Sequence, residues 1–103
     1  MAYKVIITRH AQDDLDSILN YLTIVLRNPQ AAAKLLDDIE ACYDLLSNMP
    51  YSFEPCQNPR LSMKEYRKAV IRGYLAIYQV QKNNSVVQIL RFFHGKQDYE
   101  KLL

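Results

Sequence analysis

The sequence predicts an α+β fold in the order β-α-α-β-β-β: a twisted antiparallel sheet with a helical hairpin packed on one face. Three observations carry this. Two apolar stripes at helical spacing lie on either side of Asn28-Pro29. Three runs rich in β-branched and aromatic residues follow Lys64, separated by Gly73 and by Asn83-Asn84. The chain has 103 residues, the size of a single domain, 1–103, with one core.

The elements follow in order. Tyr3–Thr8 is β-branched and aromatic and reads as a first strand. Thr8 is a helix N-cap. Ala11, Leu15, Ile18, Leu22 and Val25 then fall on one helix face, with Asp13, Asp14 and Asp16 in the first turns, where the helix dipole favours anions. This helix ends near Arg27. Asn28 caps the next, and Pro29 occupies its first position, where a missing N–H costs nothing. Ala32, Leu35, Leu36, Ile39, Cys42, Tyr43 and Leu46 form the second stripe, stopped by Asn48 and Pro50. So short a linker implies a helical hairpin.

From Pro50 to Lys64 three prolines (Pro50, Pro55, Pro59) and polar residues read as a loop crossing from helix to sheet. Glu65–Arg72, Tyr74–Lys82 and Ser85–His94 then read as an antiparallel meander, with Asn83-Asn84 as a two-residue hairpin turn. The first strand joins its edge. Gly95–Leu103 is a tail with one helical turn. Strict alternation would put Val86, Gln88, Leu90, Phe92 and His94 on one face of the last strand, and Val87, Ile89, Arg91 and Phe93 on the other. Both faces are apolar at their centres, whereas a half-exposed sheet alternates cleanly. A hairpin covers one face only. The expectation is therefore that the second awaits a partner, the alternative being that loop and tail cover it.

Composition narrows the function classes. The chain is 50% hydrophobic and 23% charged, a globular balance that excludes disorder and collagen. No apolar run approaches the ~18 residues of a membrane span. Val5-Ile6-Ile7 is too short for a secretory h-region. Cys42 and Cys56 are too few for a disulfide scaffold, so reduced thiols and a cytoplasmic location are expected. Only His10 and His94 could lend imidazole to a metal; no metal and no cofactor are expected. The net charge of +2 hides a split: residues 1–50 carry four basic against seven acidic side chains, residues 51–103 nine against four. The basic half suggests an anionic partner, or simply solvated strand edges. Cys42 reads as a small core residue, and Cys56 as an exposed one in the loop.

Several segments together resemble one family. Asp-Leu-Asp-Ser-Ile-Leu-Asn-Tyr at 14–21, Asn-Pro-Gln-Ala-Ala at 28–32, Tyr66-Arg67-Lys68-Ala69-Val70, Gly73-Tyr74-Leu75-Ala76-Ile77-Tyr78-Gln79-Val80 and Ile89-Leu90-Arg91-Phe92-Phe93-His94-Gly95-Lys96-Gln97-Asp98-Tyr99 are similar, in order and spacing, to the RelE/ParE superfamily of bacterial type II toxins. The resemblance implies the fold derived above. It also implies a cognate antitoxin that wraps the toxin, operator DNA contacted only through that complex, no membrane, and roles in growth inhibition and plasmid stabilisation. RelE-like members cleave mRNA on the ribosome; ParE-like members inhibit DNA gyrase without covalent chemistry.

The residues bear on that choice. Cleavage needs a base for the ribose 2′-OH, cations at the phosphate and an acid for the leaving oxygen. RelE-like toxins place an arginine after the tyrosine that opens the third strand; here Leu75 follows Tyr74. They place a second one after the final Gly-Lys; here Gln97 follows Gly95-Lys96. His94 stands where YoeB-like nucleases keep a catalytic histidine, yet ParE-like toxins also carry His-Gly-Lys/Arg there without known chemistry. The hairpin, the Asn-Pro start and the tail resemble ParE more, so gyrase inhibition is the first expectation and ribosome-dependent mRNA cleavage, with His94 catalytic, the alternative. A relic that only binds its antitoxin is a third. The surface residues expected for target or RNA binding are Arg67, Lys68, Arg72, Arg91, Lys96 and Tyr78. Those expected for antitoxin binding are Tyr74, Leu90 and Phe92.

Overall fold

The computed structural model describes residues 2–103. Thr8 caps the first helix as its sequence position predicts: its hydroxyl accepts the Ala11 N–H at 3.1 Å while its backbone sits in the extended region. That fixes the boundary between β1 (Lys4–Ile7) and α1 (Arg9–Asn20). Asp13, Asp14 and Asp16 lie beyond the first turn of this helix, which holds no acidic residue. Asn28 caps α2 (Pro29–Asn48), its side-chain oxygen accepting from the Ala31 N–H at 3.1 Å, with Pro29 at the start.

Two elements depart from the sequence reading. The first helix does not run straight to Arg27. Tyr21–Val25 winds as a π-helix, the Leu26 N–H reaching the Tyr21 carbonyl at 3.0 Å. The extra residue per turn rotates Val25 off the buried stripe and into solvent. The Pro50–Lys64 segment is not a bare crossover either. It holds a helical turn, α3 (Pro59–Ser62), capped by Asn58.

β2 (Tyr66–Ile71), β3 (Tyr74–Gln81) and β4 (Val86–His94) form the expected antiparallel meander, and the sheet order is β1-β4-β3-β2. β1 adds parallel to β4, so the sheet is mixed. The Arg72-Gly73 turn has both residues at positive φ (47° and 80°), the geometry of a type I′ hairpin. The β3–β4 connection is longer than two residues: Lys82–Asn84 is a 3₁₀ turn and Ser85 takes the left-handed conformation. The tail closes with α4 (Tyr99–Leu102).

Strict alternation fails in β4. Ile77 pairs with Arg91 but Tyr78 pairs with Ile89, leaving Leu90 as an inserted residue. This β-bulge reverses the parity beyond it. Val87, Ile89 and Phe92 consequently share the hairpin-side core with Leu15, Leu35, Ile39, Leu46, Ala76 and Tyr78. Phe93 turns to the other face, with Leu75 and Ile77. Thr8 donates its hydroxyl to the bulged Leu90 carbonyl at 3.1 Å. Asp14 accepts the Phe92 N–H at 3.0 Å. The polar groups that the bulge would strand thus find partners in α1 and its cap.

The second face carries its own core. Cys56 and Leu61 from the connecting segment bury Leu75, Ile77 and Phe93, and Leu90, Tyr99 and Leu103 pack around them. Arg60 holds the tail down by donating to the carbonyls of Leu103, at 3.1 Å, and Glu100. The expectation of a bare second face awaiting a partner is corrected here: loop and tail cover it. Cys56, expected to be exposed, is buried as well.

Burial sets the alkaline limit of the fold. It pushes the Cys42 thiol from 9.0 up to about 11 and the Tyr78 hydroxyl from 10.0 up to about 12. The unfolded chain releases these protons first, so stability is full below pH 9 and falls as pH rises towards 12. Urea unfolding at pH 8 and pH 10.5 checks this; an unchanged midpoint would contradict it.

Candidate functional site

One end of the molecule gathers several of the expected residues. Tyr74 opens β3 and His94 ends β4, and they are direct cross-strand partners. Their rings meet edge-on at 5.4 Å. Beyond them Gly95 donates its N–H to the Gly73 carbonyl at 2.7 Å, and a Cβ on Gly95 would lie 2.6 Å from that oxygen. Only glycine fits this approach, so the β2–β3 turn and the start of the tail are locked together. The His94 N–H donates to the Gln97 side-chain oxygen at 2.7 Å, and its Nδ1 accepts the Lys96 N–H at 3.1 Å. The imidazole is thereby oriented by its own turn through Nδ1.

Arg72 projects from the turn and pairs with Asp38 on α2. Between this turn and the helical hairpin runs a groove of about 410 Å³, lined by Leu22, Asn28, Ala31, Lys34, Arg72 and Tyr74, among others. Arg72, Tyr74, His94 and Lys96 therefore share one end of the molecule.

The other expected residues are not brought there. Arg67 lies at the far end of β2, stacked on the Tyr51 ring at 4.8 Å and donating to the Phe53 carbonyl at 2.7 Å. Lys68, its neighbour on the strand, points to the opposite face, over the Tyr99 ring at 5.6 Å. Arg91 makes a two-pronged ion pair with Asp14, at 2.7 and 3.2 Å, and lies 4.7 Å from the Phe93 ring centre. The five cations do not form one face. Leu90 is half-buried against the second core. Phe92 and Tyr78 are core residues, which corrects their placement at an interface. The Tyr78 hydroxyl donates inward, to the Pro50 carbonyl at 2.9 Å.

Sequence reasoning missed the roles of Asp14, read only as an anion near a helix start, and of Asp38, because their partners are remote in the chain. It also missed the hairpin tip. Tyr21, Ile24, Val25 and Leu26 are 52%, 66%, 63% and 53% exposed. A signal was present: five of the six residues 21–26 are apolar, more than one helix face can bury.

A family model for the ParE toxin of the type II toxin-antitoxin system parDE matches residues 5–99. The chain belongs to this family. The toxin is similar in structure to the chromosomal ParDE toxin-antitoxin system of Pseudomonas aeruginosa, with a TM-score of 0.71 and 25% identity over 90% of this chain and 96% of that one. The fold is shared more widely. The toxin-antitoxin complex RelBE2 of Mycobacterium tuberculosis matches with a TM-score of 0.65 and 22% identity, over 91% of this chain and 99% of that one. A mutant of Escherichia coli toxin RelE in the free state matches at 0.66 and 14%, over 99% and 93%. No curated protein sequence matches the toxin. Among the described residues no helix is long and apolar enough to cross a membrane.

Proposed function

We propose that this toxin inhibits DNA gyrase by binding it, without covalent chemistry, and that a cognate antitoxin neutralises it in the cytoplasm. The antitoxin is supported by the family and by the Pseudomonas aeruginosa neighbour, itself a ParDE system. Operator DNA is met only through the toxin–antitoxin complex.

The observation that carries the non-enzymatic reading is the state of the cations around His94. A nuclease must converge positive charge on a pentavalent phosphate. Here Arg72 is neutralised by Asp38 and Arg91 by Asp14. Lys96, in the turn after His94, is left as a cation beside the imidazole, and a single lysine is not the convergent set that a pentavalent phosphate needs. The sheet face opposite the hairpin, where a substrate could otherwise lie across the strands, is packed with Cys56, Leu61, Leu75, Ile77 and Phe93.

His94→Gln separates the two chemistries. It keeps the size of the side chain and removes its titration. General acid–base catalysis is worth about 10²–10⁴-fold, so a nuclease would lose mRNA cleavage and growth arrest together. The expected result is that His94→Gln keeps most of its inhibition of gyrase supercoiling, and that wild-type toxin leaves primer-extension profiles of translated mRNA unchanged. Loss of toxicity in a folded, antitoxin-binding His94→Gln protein would promote ribosome-dependent mRNA cleavage instead.

A further inference from the structure

We infer that the tip of the helical hairpin is the anchor by which the toxin holds its protein target, and that it enters an apolar cleft rimmed by carboxylates. This rests on the reading that the toxin acts by occupying a protein. Tyr21, Ile24, Val25 and Leu26 form a contiguous apolar cap, each more than half exposed. The backbone presents them in a fixed way. The Leu26 N–H reaches the Tyr21 carbonyl at 3.0 Å, the Asn28 N–H reaches the Leu22 carbonyl at 2.8 Å, and the Thr23 hydroxyl donates to the Leu19 carbonyl at 2.7 Å. The π turn is what moves Val25 outward, and such turns are frequent at functional sites. An ordered apolar cap in water marks an interaction surface.

Charge identifies the occupant. No acidic residue lies between Asp16 and Asp37, while Arg27 and Lys34 flank the cap. Arg27 is held at φ 50°, in the left-handed region. On the neighbouring groove, Arg72 is already neutralised by Asp38. The unmatched charge beside the apolar cap is therefore positive, and the complementary rim is acidic. A second copy of the chain is a poor occupant, because a two-fold contact would set each tip's Arg27 and Lys34 against their own kind. Area sets the role of the cap within the contact. Four half-exposed side chains offer a few hundred Å², below the roughly 800 Å² per partner of a stable interface. That is the size of an anchor cluster within a larger, exchangeable contact.

The test uses full-length toxin carrying Ile24→Ser/Val25→Ser, and separately Arg27→Asn/Lys34→Glu. Asn tolerates the left-handed backbone at position 27. These surface changes should shift the melting temperature by no more than about 2–4 °C. Losing two anchor side chains should raise the toxin concentration needed to inhibit supercoiling by roughly tenfold or more, and growth arrest in cells lacking the antitoxin should weaken in parallel. The charge variant should lose less, and its loss should shrink as salt is raised. Wild-type growth arrest by folded Ile24→Ser/Val25→Ser overturns the inference. So does a wild-type dimer in sedimentation that this variant abolishes, which would make a second copy the occupant. Variant-sensitive co-sedimentation with phosphatidylglycerol-containing vesicles would likewise make a lipid surface the occupant and overturn it. If wild-type toxin arrests growth without touching gyrase or mRNA, and the variant does not arrest growth, the gyrase reading fails while the anchor stands. Cleavage of mRNA by wild-type toxin, or no growth arrest at all, removes both.

Discussion

Replacing Asp14 by Ala should destabilise the toxin by about 2–3 kcal/mol and lower its melting temperature by roughly 10–20 °C. Asp14 does two things with one carboxylate: it pairs with Arg91 and it accepts the Phe92 N–H next to the β-bulge. Both partners are mostly buried, with side chains 19% and 17% exposed. Removing one member of a buried pair costs about 3–5 kcal/mol, because it strands the other charge; the remaining exposure lowers that figure here. Asp14→Asn keeps an acceptor for the Phe92 N–H and should cost less. The stranded-charge explanation has its own check. Asp14→Ala/Arg91→Met removes both charges and should recover much of the loss. A double variant no more stable than Asp14→Ala would reject it.

The same bulge explains where sequence reasoning stops. Local signals were sufficient for the elements. Thr8 and Asn28-Pro29 placed both helix starts, and Gly73 and the β-branched runs placed the meander. Each of these depends on residues within a few positions of one another. The face of each side chain in β4 depends instead on one inserted residue, Leu90, and on Thr8 and Asp14, which stabilise it from another element. Nothing in Val86–His94 alone distinguishes a bulged strand from a straight one, so Phe92 was expected on the wrong face. The second core was hidden for a similar reason. Cys56, Leu61, Tyr99 and Leu103 are spread through a Pro-rich segment and the tail, without any periodicity to join them. At the candidate site, the cross-strand meeting of Tyr74 and His94 depends on the same bulge: an unbroken hairpin register would set Tyr74 opposite Phe93, and the inserted Leu90 brings His94 there instead. The pairing of Arg72 with Asp38 was hidden too, because it depends on how α2 crosses the sheet.

The corrected face of the sheet also bears on mechanism. Positive charge in residues 51–103 suggested an anionic partner, but an excess in sequence is not a field in space. Arg67 and Lys68 are adjacent on a strand and point apart. Arg72 and Arg91 are each answered by an aspartate from the acidic half. The charge split between the halves is thus partly consumed in holding the helical hairpin onto the sheet. The cations without an ion pair are dispersed: Arg27 and Lys34 lie beside the apolar hairpin tip, Lys96 in the turn after His94, and Lys64 and Lys82 at other places on the chain. A surface of that kind suits recognition of a protein better than catalysis on a phosphodiester.

Tyr78→Ala should cost about 4 kcal/mol, within the range for truncating a buried aromatic. The ring is fully buried and meets Phe53 edge-on at 6.4 Å. The conservative change is the more informative one. Tyr78→Phe keeps the ring and removes the hydroxyl, leaving the buried Pro50 carbonyl without its donor at 2.9 Å. An unsatisfied buried acceptor costs about 1–3 kcal/mol, which a urea midpoint resolves. A surface tyrosine used to stack on a nucleobase would behave in the opposite way: phenylalanine would leave stability within about 0.5 kcal/mol of wild type, and alanine would abolish binding without unfolding the chain. An unchanged urea midpoint in Tyr78→Phe would therefore return Tyr78 to the surface and restore the argument for RNA contact. A lower midpoint with target inhibition intact would establish it as the strut between the sheet and the segment after α2.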